Sequence, residues 1–312
     1  MERFRRYSDY LRSRYGARTY RVSVDAGFSC PVRDDGRPCR YCDPRGSRAG
    51  YLTESEVGRQ IAEGIGFLSR RYGAELFLLY FQAYSNTYAA VDRLRSIYDS
   101  ALARAPFRGL IVGTRPDCID RERAQLLASY RQRGLDVWVE LGLQSANDAT
   151  LRRIGRGHSV ARFDEAVMLL SEHRVDVAAH LILGLPGEGP DDVIDTVRHV
   201  STLPVGGVKF HNLVLVQGTP MYDEYLAGDV RPPDVAEYRE LLITALENLR
   251  SDIVVMRLTC DPPRGVRHLP ERLPPKAVFT DDLVAEMERR ETWQGRCWRA
   301  YADEGQGNSR AD

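Results

Sequence analysis

Three cysteines within thirteen residues constrain this chain more than any other feature. Cys30, Cys39 and Cys42 lie in the segment CPVRDDGRPCRYC, which follows an apolar alternating run over residues 20–28. Eight residues separate the first pair of cysteines and two separate the second pair. A gap of two lets both thiolates reach one metal centre from a single turn, and the longer loop brings the third cysteine to the same centre. The spacing therefore predicts a metal site.

The number of ligands indicates which metal centre this is. Structural zinc needs four protein ligands, and the next cysteine and histidine along the chain are the distant Cys118 and His158. A cubane iron-sulfur cluster contains four irons, so three thiolates leave one iron free to bind a small molecule. We therefore predict a [4Fe-4S] cluster. A zinc-stabilised RNA-binding module without catalysis is the alternative from another functional class.

Charge and hydropathy exclude several other classes. The 44 basic and 44 acidic residues cancel, so no overall field attracts nucleic acid or acidic partners. The N-terminus lacks the long apolar region of a signal peptide, and no apolar run reaches the ~18 residues of a membrane span. We expect a cytoplasmic protein with no membrane association, in which the six cysteines are reduced thiols or cluster ligands.

The N-terminal segment, residues 1–18, predicts a helix that carries aromatic residues among arginines. Basic residues interleaved with aromatics can stack on RNA bases and pair with phosphates. An amphipathic helix whose aromatic face packs on the body of the protein has the same pattern, and we favour this interpretation. The residues concerned are Phe4, Tyr7, Tyr10, Leu11 and Tyr15 among Arg3, Arg5, Arg6, Arg12 and Arg14.

Apolar runs typical of strands alternate with helical segments from residue 19 onward. Such alternation predicts parallel βαβ units with right-handed crossovers. Six units form an open barrel, so the predicted fold is α/β, a (β/α)6 partial TIM barrel. The expected strands cover residues 19–25, 76–82, 109–114, 137–142, 177–183 and 208–216.

The predicted barrel occupies residues 19–221, and the sequence changes character beyond it. A short α/β C-terminal extension is expected over residues 222–303, with helices at 235–249 and 281–290 and a strand at 253–259. The proline-rich stretch 261–276 is predicted to cover the barrel mouth. Residues 304–312 are expected to form a disordered tail.

Polar and glycine-rich segments follow each predicted strand. In a barrel of parallel strands, the chemistry lies at the carboxyl ends of the strands. All six strand ends carry such segments, which points to one functional site at the barrel mouth. They read DAGFSC, FQAYSNT, VGTRPDC, VELGLQSAND, AHLILGLPGEG and FHNLVLVQGTPM.

These strand-end segments, from about residue 20 to residue 221, resemble the YhcC-like family in the Elongator-type branch of the radical S-adenosylmethionine (SAM) superfamily. The superfamily's cluster motif ends in cysteine, any residue, aromatic and cysteine, and Tyr41 stands between Cys39 and Cys42 as that aromatic. The usual first gap of the superfamily is three residues, whereas here it is eight. This expansion narrows the resemblance to the branch of the Elongator catalytic subunit.

The resemblance implies the residues that hold the cofactors. Cys30, Cys39 and Cys42 would bind the [4Fe-4S] cluster, whose open iron is chelated by the amino and carboxylate groups of SAM. Tyr41, or backbone beside it, would pack near the adenine. Gln82 would replace the usual glycine-glycine-glutamate turn that holds the methionine amino group.

The fourth and fifth strand ends would complete the SAM site. Glu140, Gln144 and Ser145 are expected to end the fourth strand and hydrogen-bond the ribose or methionine moiety. Arg156 would pair with the SAM carboxylate through its planar fork. The turn that starts at Gly184 would offer backbone groups to the adenine.

The function implied is reductive SAM cleavage to a 5′-deoxyadenosyl radical that abstracts hydrogen from an unidentified substrate. A flavodoxin or ferredoxin would supply the electron. The alternative within this chemistry is a tRNA base-modifying enzyme, by analogy with the Elongator branch. No catalytic residue is assigned from the sequence. The positions of His180 and His211 fit a hydrogen-bonded core residue and a substrate contact equally well.

Overall fold

The computed structural model describes residues 2–43, 56–262 and 265–298. Within these residues, seven strands form one parallel sheet in the order β1-β2-β3-β4-β5-β6-β8, which curls into a half-barrel. A small antiparallel pair, β7 and β9, lies apart from it. The strands are β1 Thr19–Val24, β2 Leu76–Phe81, β3 Gly109–Thr114, β4 Asp136–Gln144, β5 Asp176–Leu183, β6 Gly207–Asn212, β7 Leu215–Val216, β8 Val254–Arg257 and β9 His268–Leu269.

Helices connect successive strands and cover the outer face of the sheet. Many begin where the sequence places a capping residue: Asp120 caps α5, Ser159 caps α7, and Asp234 opens α10 with Glu237 in a capping box. The helices are α1 Tyr7–Tyr15, α2 Pro31–Asp34, α3 Val57–Tyr72, α4 Val91–Leu102, α5 Arg121–Gln132, α6 Asp148–Arg153, α7 Val160–Glu172, α8 Pro190–Thr202, α9 Pro220–Leu226, α10 Val235–Asn248 and α11 Lys276–Arg289.

The predicted α/β partial TIM barrel is confirmed, with two differences in the strands. The sixth predicted strand stops at Asn212, and residues 215–216 pair with β9 instead. The strand expected in the C-terminal extension pairs in parallel with β6, so it adds a seventh strand to the barrel sheet. The boundary expected after residue 221 falls inside α9. The predicted tail, residues 304–312, lies outside the described residues.

Alternating side chains of each strand face the helices or the barrel interior. In β4, Val137, Val139 and Leu141 belong to the large core beneath the helices, whereas Trp138 packs with residues inside the barrel. Because side chains alternate with a period of two, Glu140 shares the interior face with Trp138. The interior is therefore the face that carries the polar residues of the strands.

Helix α1 closes the floor of the half-barrel. Tyr7 and Leu11 are buried against the inward side chains of the strands, including Trp138. Arg14 forms an ion pair with Asp136 at 2.6 Å, where β4 begins. The aromatic face is thus a packing face, as the favoured interpretation of the N-terminal segment predicts. Among the described helices, none combines the length and the apolar character needed to cross a membrane.

Candidate functional site

The three cysteines of the predicted cluster lie in the loop that follows β1. Cys30 is the residue before α2, and Pro31 begins that short helix. The backbone N–H of Cys42 donates to the carbonyl of Cys39 at 3.0 Å, which makes the tight turn that a two-residue gap predicts. Cys39 is buried, and the other two thiols are half-buried.

Each cysteine sulfur has a polar neighbour from elsewhere in the chain. The Sγ of Cys30 lies 3.1 Å from the Oγ of Ser85. Burial raises the pKa of Cys30, and the Ser85 contact opposes that shift. Burial also raises the pKa of Cys42, although the Arg33 guanidinium, which donates to its Sγ at 3.0 Å, lowers it. The net pKa of both thiols is raised, so the hydrogen bonds and the positive charge offset only part of the effect of burial.

Two buried arginines point at the sulfur of Cys39. Arg115, which follows β3, donates to this Sγ from Nη1 at 3.8 Å, and Arg156, which follows α6, donates at 3.6 Å. Arg115 also makes a bidentate contact with Asp117, with both distances at 2.9 Å, so its charge is paired. Its Nη2 donates to the backbone carbonyl of Arg156 at 2.7 Å, which joins the two loops.

Arg156 differs because no carboxylate pairs with it in the described part of the chain. Its side chain donates to the carbonyl of Gly142 at 2.7 Å and to the Sγ of Cys39, and only 6% of the residue is exposed. A buried guanidinium without a counter-charge costs free energy. An anion beside Cys39 would supply this counter-charge.

An iron-sulfur cluster on three thiolates fits this arrangement. Such a cluster is anionic, and it would supply the charge that Arg156 lacks. In residues 2–43, 56–262 and 265–298, no group of three or more His, Cys, Asp and Glu side chains is set to hold one metal ion. A cubane does not require such convergence, because its three cysteines bind three different irons. The donor set is suited to a cluster better than to a single zinc ion.

Tyr41 and Gln82 both lie near the cysteine loop. Tyr41 is half-buried and packs against an apolar cluster that includes Leu151 and Ile154 of the α6 segment. Burial raises its pKa, and the nearby Arg156 opposes that shift. Gln82 follows β2 directly, and its backbone N–H donates to Val24 at 3.2 Å. The contacts of both residues with SAM stay predictions.

Glu140 lies in a different place from the one expected. Strand β4 continues to Gln144, so Glu140 is in mid-strand and its side chain is completely buried. Both of its oxygens accept hydrogen bonds from protein groups, from Tyr80, His180, Lys209 and Arg21. The carboxylate is thus the centre of a polar network inside the barrel rather than a group at the strand end.

The remaining predicted SAM residues lie at the ends of β4 and β5. Gln144 ends β4 with a positive φ of 80°. The hydroxyl of Ser145 donates to Glu188 and accepts the N–H of Asn147 at 3.0 Å, which connects the two strand ends. Gly184 has a φ of 84°, and a Cβ there would lie 2.1 Å from Pro233, so the close approach that requires glycine is to this proline.

Arg33, Ser85 and Lys209 are site residues that the sequence did not single out. All but two of the basic residues are arginine, so a single arginine carries no signal. Lys209 is different, because it and Lys276 are the only lysines. A lysine inside an apolar strand segment, GVKFHN, was a usable signal for a buried ion pair.

Residues 28–200 match the model of the Radical SAM superfamily, and residues 205–289 match that of the radical SAM C-terminal domain. The first match covers more than half of the chain, so this chain belongs to the radical SAM superfamily. Its enzymes use a [4Fe-4S] cluster and SAM, the two cofactors predicted from the sequence. Within the superfamily, the chain is a YhcC-like protein of the Elongator branch.

Two relatives and one solved structure show what the chain is similar to. Protein YhcC of Escherichia coli strain K12 is 39% identical over 244 residues, which cover 77% of this chain and 77% of that protein. A tRNA uridine(34) acetyltransferase of Methanocaldococcus infernus is 29% identical over 161 residues, 50% of this chain and 29% of that protein. The structure of Methanocaldococcus infernus Elp3 with an N-terminal deletion has the same fold, with a TM-score of 0.68 at 20% identity over 88% of this chain and 64% of that chain.

Proposed function

We propose that this protein cleaves SAM reductively and abstracts a hydrogen atom from a substrate that is not yet identified. When bound, the cluster and SAM supply a 5′-deoxyadenosyl radical as the abstracting species. The observation that carries the proposal is Arg156, a buried guanidinium that contacts Cys39 and has no carboxylate partner among the described residues. An anionic cofactor bound beside Cys39 would lie next to Arg156 and would pair with its charge.

The chain's own residues bind the cluster and adjust its charge. Cys30, Cys39 and Cys42 hold three irons as thiolates, and Arg33 and Arg115 donate to two of the sulfurs. Positive charge and hydrogen bonds at the sulfurs stabilise the more negative, reduced cluster. A flavodoxin or ferredoxin is the proposed electron donor, and the cytoplasm, where these carriers operate, is the proposed location.

Residues around the barrel mouth orient SAM. Arg156 holds the carboxylate, Tyr41 packs near the adenine, and Gln82 holds the amino group. The ends of β4 and β5 contact the remainder of SAM through Gln144, Ser145 and Gly184. Because α1 seals the floor of the barrel, water is excluded from below the site. Glu140 positions the strands that carry these residues rather than SAM itself.

Replacement of Arg156 with alanine should weaken SAM binding. Loss of a charge-assisted contact to the carboxylate costs about 1.5–3 kcal/mol, so the dissociation constant should rise by about 10- to 150-fold. Isothermal titration of SAM into the cluster-loaded protein measures this change. The exposed Arg152, in the preceding helix α6, is the matched control, and its alanine variant should bind SAM normally. An unchanged constant for Arg156→Ala would remove this residue from the SAM site.

A tRNA substrate is the second candidate, and the similarity to tRNA uridine(34) acetyltransferases favours it. If the arginines in α1 and just before it bind tRNA, replacing Arg5, Arg6, Arg12 and Arg14 with serine should abolish a salt-dependent affinity for bulk tRNA. The slope of log affinity against log salt concentration should become smaller by about one for each phosphate contact removed. We expect no such loss, because the aromatic side of α1 is buried and Arg14 already pairs with Asp136. Filter binding across salt concentrations decides between these outcomes.

A further inference from the structure

The interior of the half-barrel contains a layer of charged and polar side chains that SAM chemistry does not require. They come from six strands of the sheet. We refer to them as the inner polar layer: Arg21, Tyr80, Glu140, His180, Lys209, His211 and Arg257.

Glu140 accepts hydrogen bonds from only some of the residues in this layer. Its Oε2 accepts from Tyr80 and Lys209, each at 2.5 Å, and from His180 at 2.8 Å. Its Oε1 accepts from Arg21 at 3.2 Å. One carboxylate therefore faces Lys209 and Arg21, and its acceptor sites are taken by four donors from four strands.

Arg257 and His211 are the members that remain without partners. Arg257 pairs across the sheet with Lys209, and in the described part of the chain its guanidinium has neither a carboxylate nor a hydrogen-bond acceptor. The Nε2 of His211 is buried, and no hydrogen-bond partner is found for it in the same residues. The His211 ring lies against that of His180, with 5.4 Å between the ring centroids.

The charges of this layer do not cancel. Glu140 pairs with Arg21 and Lys209, and Arg257 adds a positive charge that no described carboxylate pairs with. Burial lowers the pKa of Lys209, and although Glu140 opposes this, Arg257 and Arg21 lower it further. Burial lowers the pKa of His211, and the charge of Arg257 adds to that shift. An interior with unmet positive potential stabilises an anion.

The unpartnered groups lie between the barrel floor and the cofactor site. His211 is two residues nearer the carboxyl end of β6 than Lys209, which places it about 6–7 Å closer to the mouth. His180 is in register with Gly142, whose carbonyl accepts from Arg156 beside Cys39. Arg257 and His211 are on β8 and β6, whereas the cysteines follow β1, so the two sites face each other across the barrel.

We infer that Arg257 and His211, with His180 beside them, form a subsite that binds an oxyanion group of the substrate, a phosphate or a carboxylate. The guanidinium supplies the charge and a planar fork of donors, and the imidazole Nε2 supplies a further hydrogen bond. Anchoring an anionic group at this depth holds the rest of the substrate toward the mouth, where the hydrogen atom is removed. This inference rests on the proposed function, since it assigns the substrate class of the same site.

The test is binding of two simple probes, inorganic phosphate and acetate, to the cluster-loaded protein by isothermal titration. We expect saturable binding of one probe per chain, and the probe that binds identifies the oxyanion. Arg257→Gln should weaken it by tenfold or more, since a charge-assisted contact is lost, and His211→Gln should weaken it in the same direction. The exposed Arg267, which pairs only loosely with Glu271, provides the control Arg267→Gln with unchanged binding.

Each alternative outcome has a defined meaning. Failure of both probes to bind the wild-type protein would overturn the inference, as would undiminished binding by both Arg257→Gln and His211→Gln in samples with normal thermal unfolding. Displacement of the bound probe by SAM would also overturn it, since the subsite would then belong to SAM. Formation of 5′-deoxyadenosine by the same wild-type sample tests the proposed function separately. If the sample cleaves SAM but binds neither probe, the subsite is rejected and the proposed function is not.

Discussion

Protein in which Cys30, Cys39 and Cys42 are all replaced with alanine should lose the visible charge-transfer absorption of an iron-sulfur cluster completely. Each thiolate is proposed to bind one iron, so the triple replacement removes all three protein ligands of the cluster. Single replacements should lower the bound iron to a small fraction of the wild-type content. Absorption spectra and iron analysis after anaerobic reconstitution measure both effects.

The other three cysteines are the matched controls. Cys118 is buried beside the 3₁₀ turn after β3, the thiol of Cys260 contacts Asn212, and Cys297 lies near the C-terminal end of the described chain. Alanine at any of these positions should leave the absorption intact. A spectrum that survives the triple replacement, or that disappears with Cys118→Ala, would contradict the assignment of the ligands.

The replacement Glu140→Gln should destabilise the protein by about 3–5 kcal/mol, because it leaves Lys209 as a buried charge without a carboxylate partner among the described residues. Urea unfolding of the protein without its cofactors measures this loss. Glu172→Gln, at an exposed position in α7, should change the stability by less than about 0.5 kcal/mol. The double variant Glu140→Gln and Lys209→Met should be more stable than Glu140→Gln alone, since the uncompensated lysine is removed.

The effect of Glu140 should also depend on pH with a definite sign. Burial opposes its ionisation, but the positive charge of Lys209 and the contact with His180 hold its pKa well below the ordinary value. The folded state therefore gains stability above the unfolded carboxyl pKa of about 4.3, and loses it as the pH falls through the lower folded pKa. The stability difference between wild type and Glu140→Gln should be constant from about pH 7 to pH 5 and shrink below that. A difference that grows with acid would contradict this origin.

The sequence alone predicted the barrel because the face that each strand turns toward the helices is apolar. Runs such as LFLLYF and GLIVGT are buried on both faces, and their alternation with helical segments fixes a parallel sheet. The C-terminal strand, VVMR, is only four residues long, and no local pattern shows that it pairs with β6. That pairing depends on contacts across the sheet, including those of α1 with β8.

The candidate site was predictable where ligands are adjacent in sequence and not where they converge from separate strands. The cysteine spacing alone located the cluster loop. Arg33 and Arg115, in contrast, are two of many arginines, and only the fold brings them to the sulfurs. Glu140 resembled a strand-end residue because the predicted strand ends at residue 142, whereas the observed strand continues to Gln144. Glu140 therefore lies in mid-strand on the interior face, where Lys209 is its partner.

Reductive cleavage of SAM tests the central claim most directly. Protein reconstituted under anaerobic conditions should contain about four irons and four sulfides per chain. After reduction with dithionite, it should convert SAM to equal amounts of methionine and 5′-deoxyadenosine, and the product amounts should fall to background with the triple cysteine variant. A reconstituted protein that holds zinc instead of iron, or one that binds a cluster and yields no 5′-deoxyadenosine, would contradict the account.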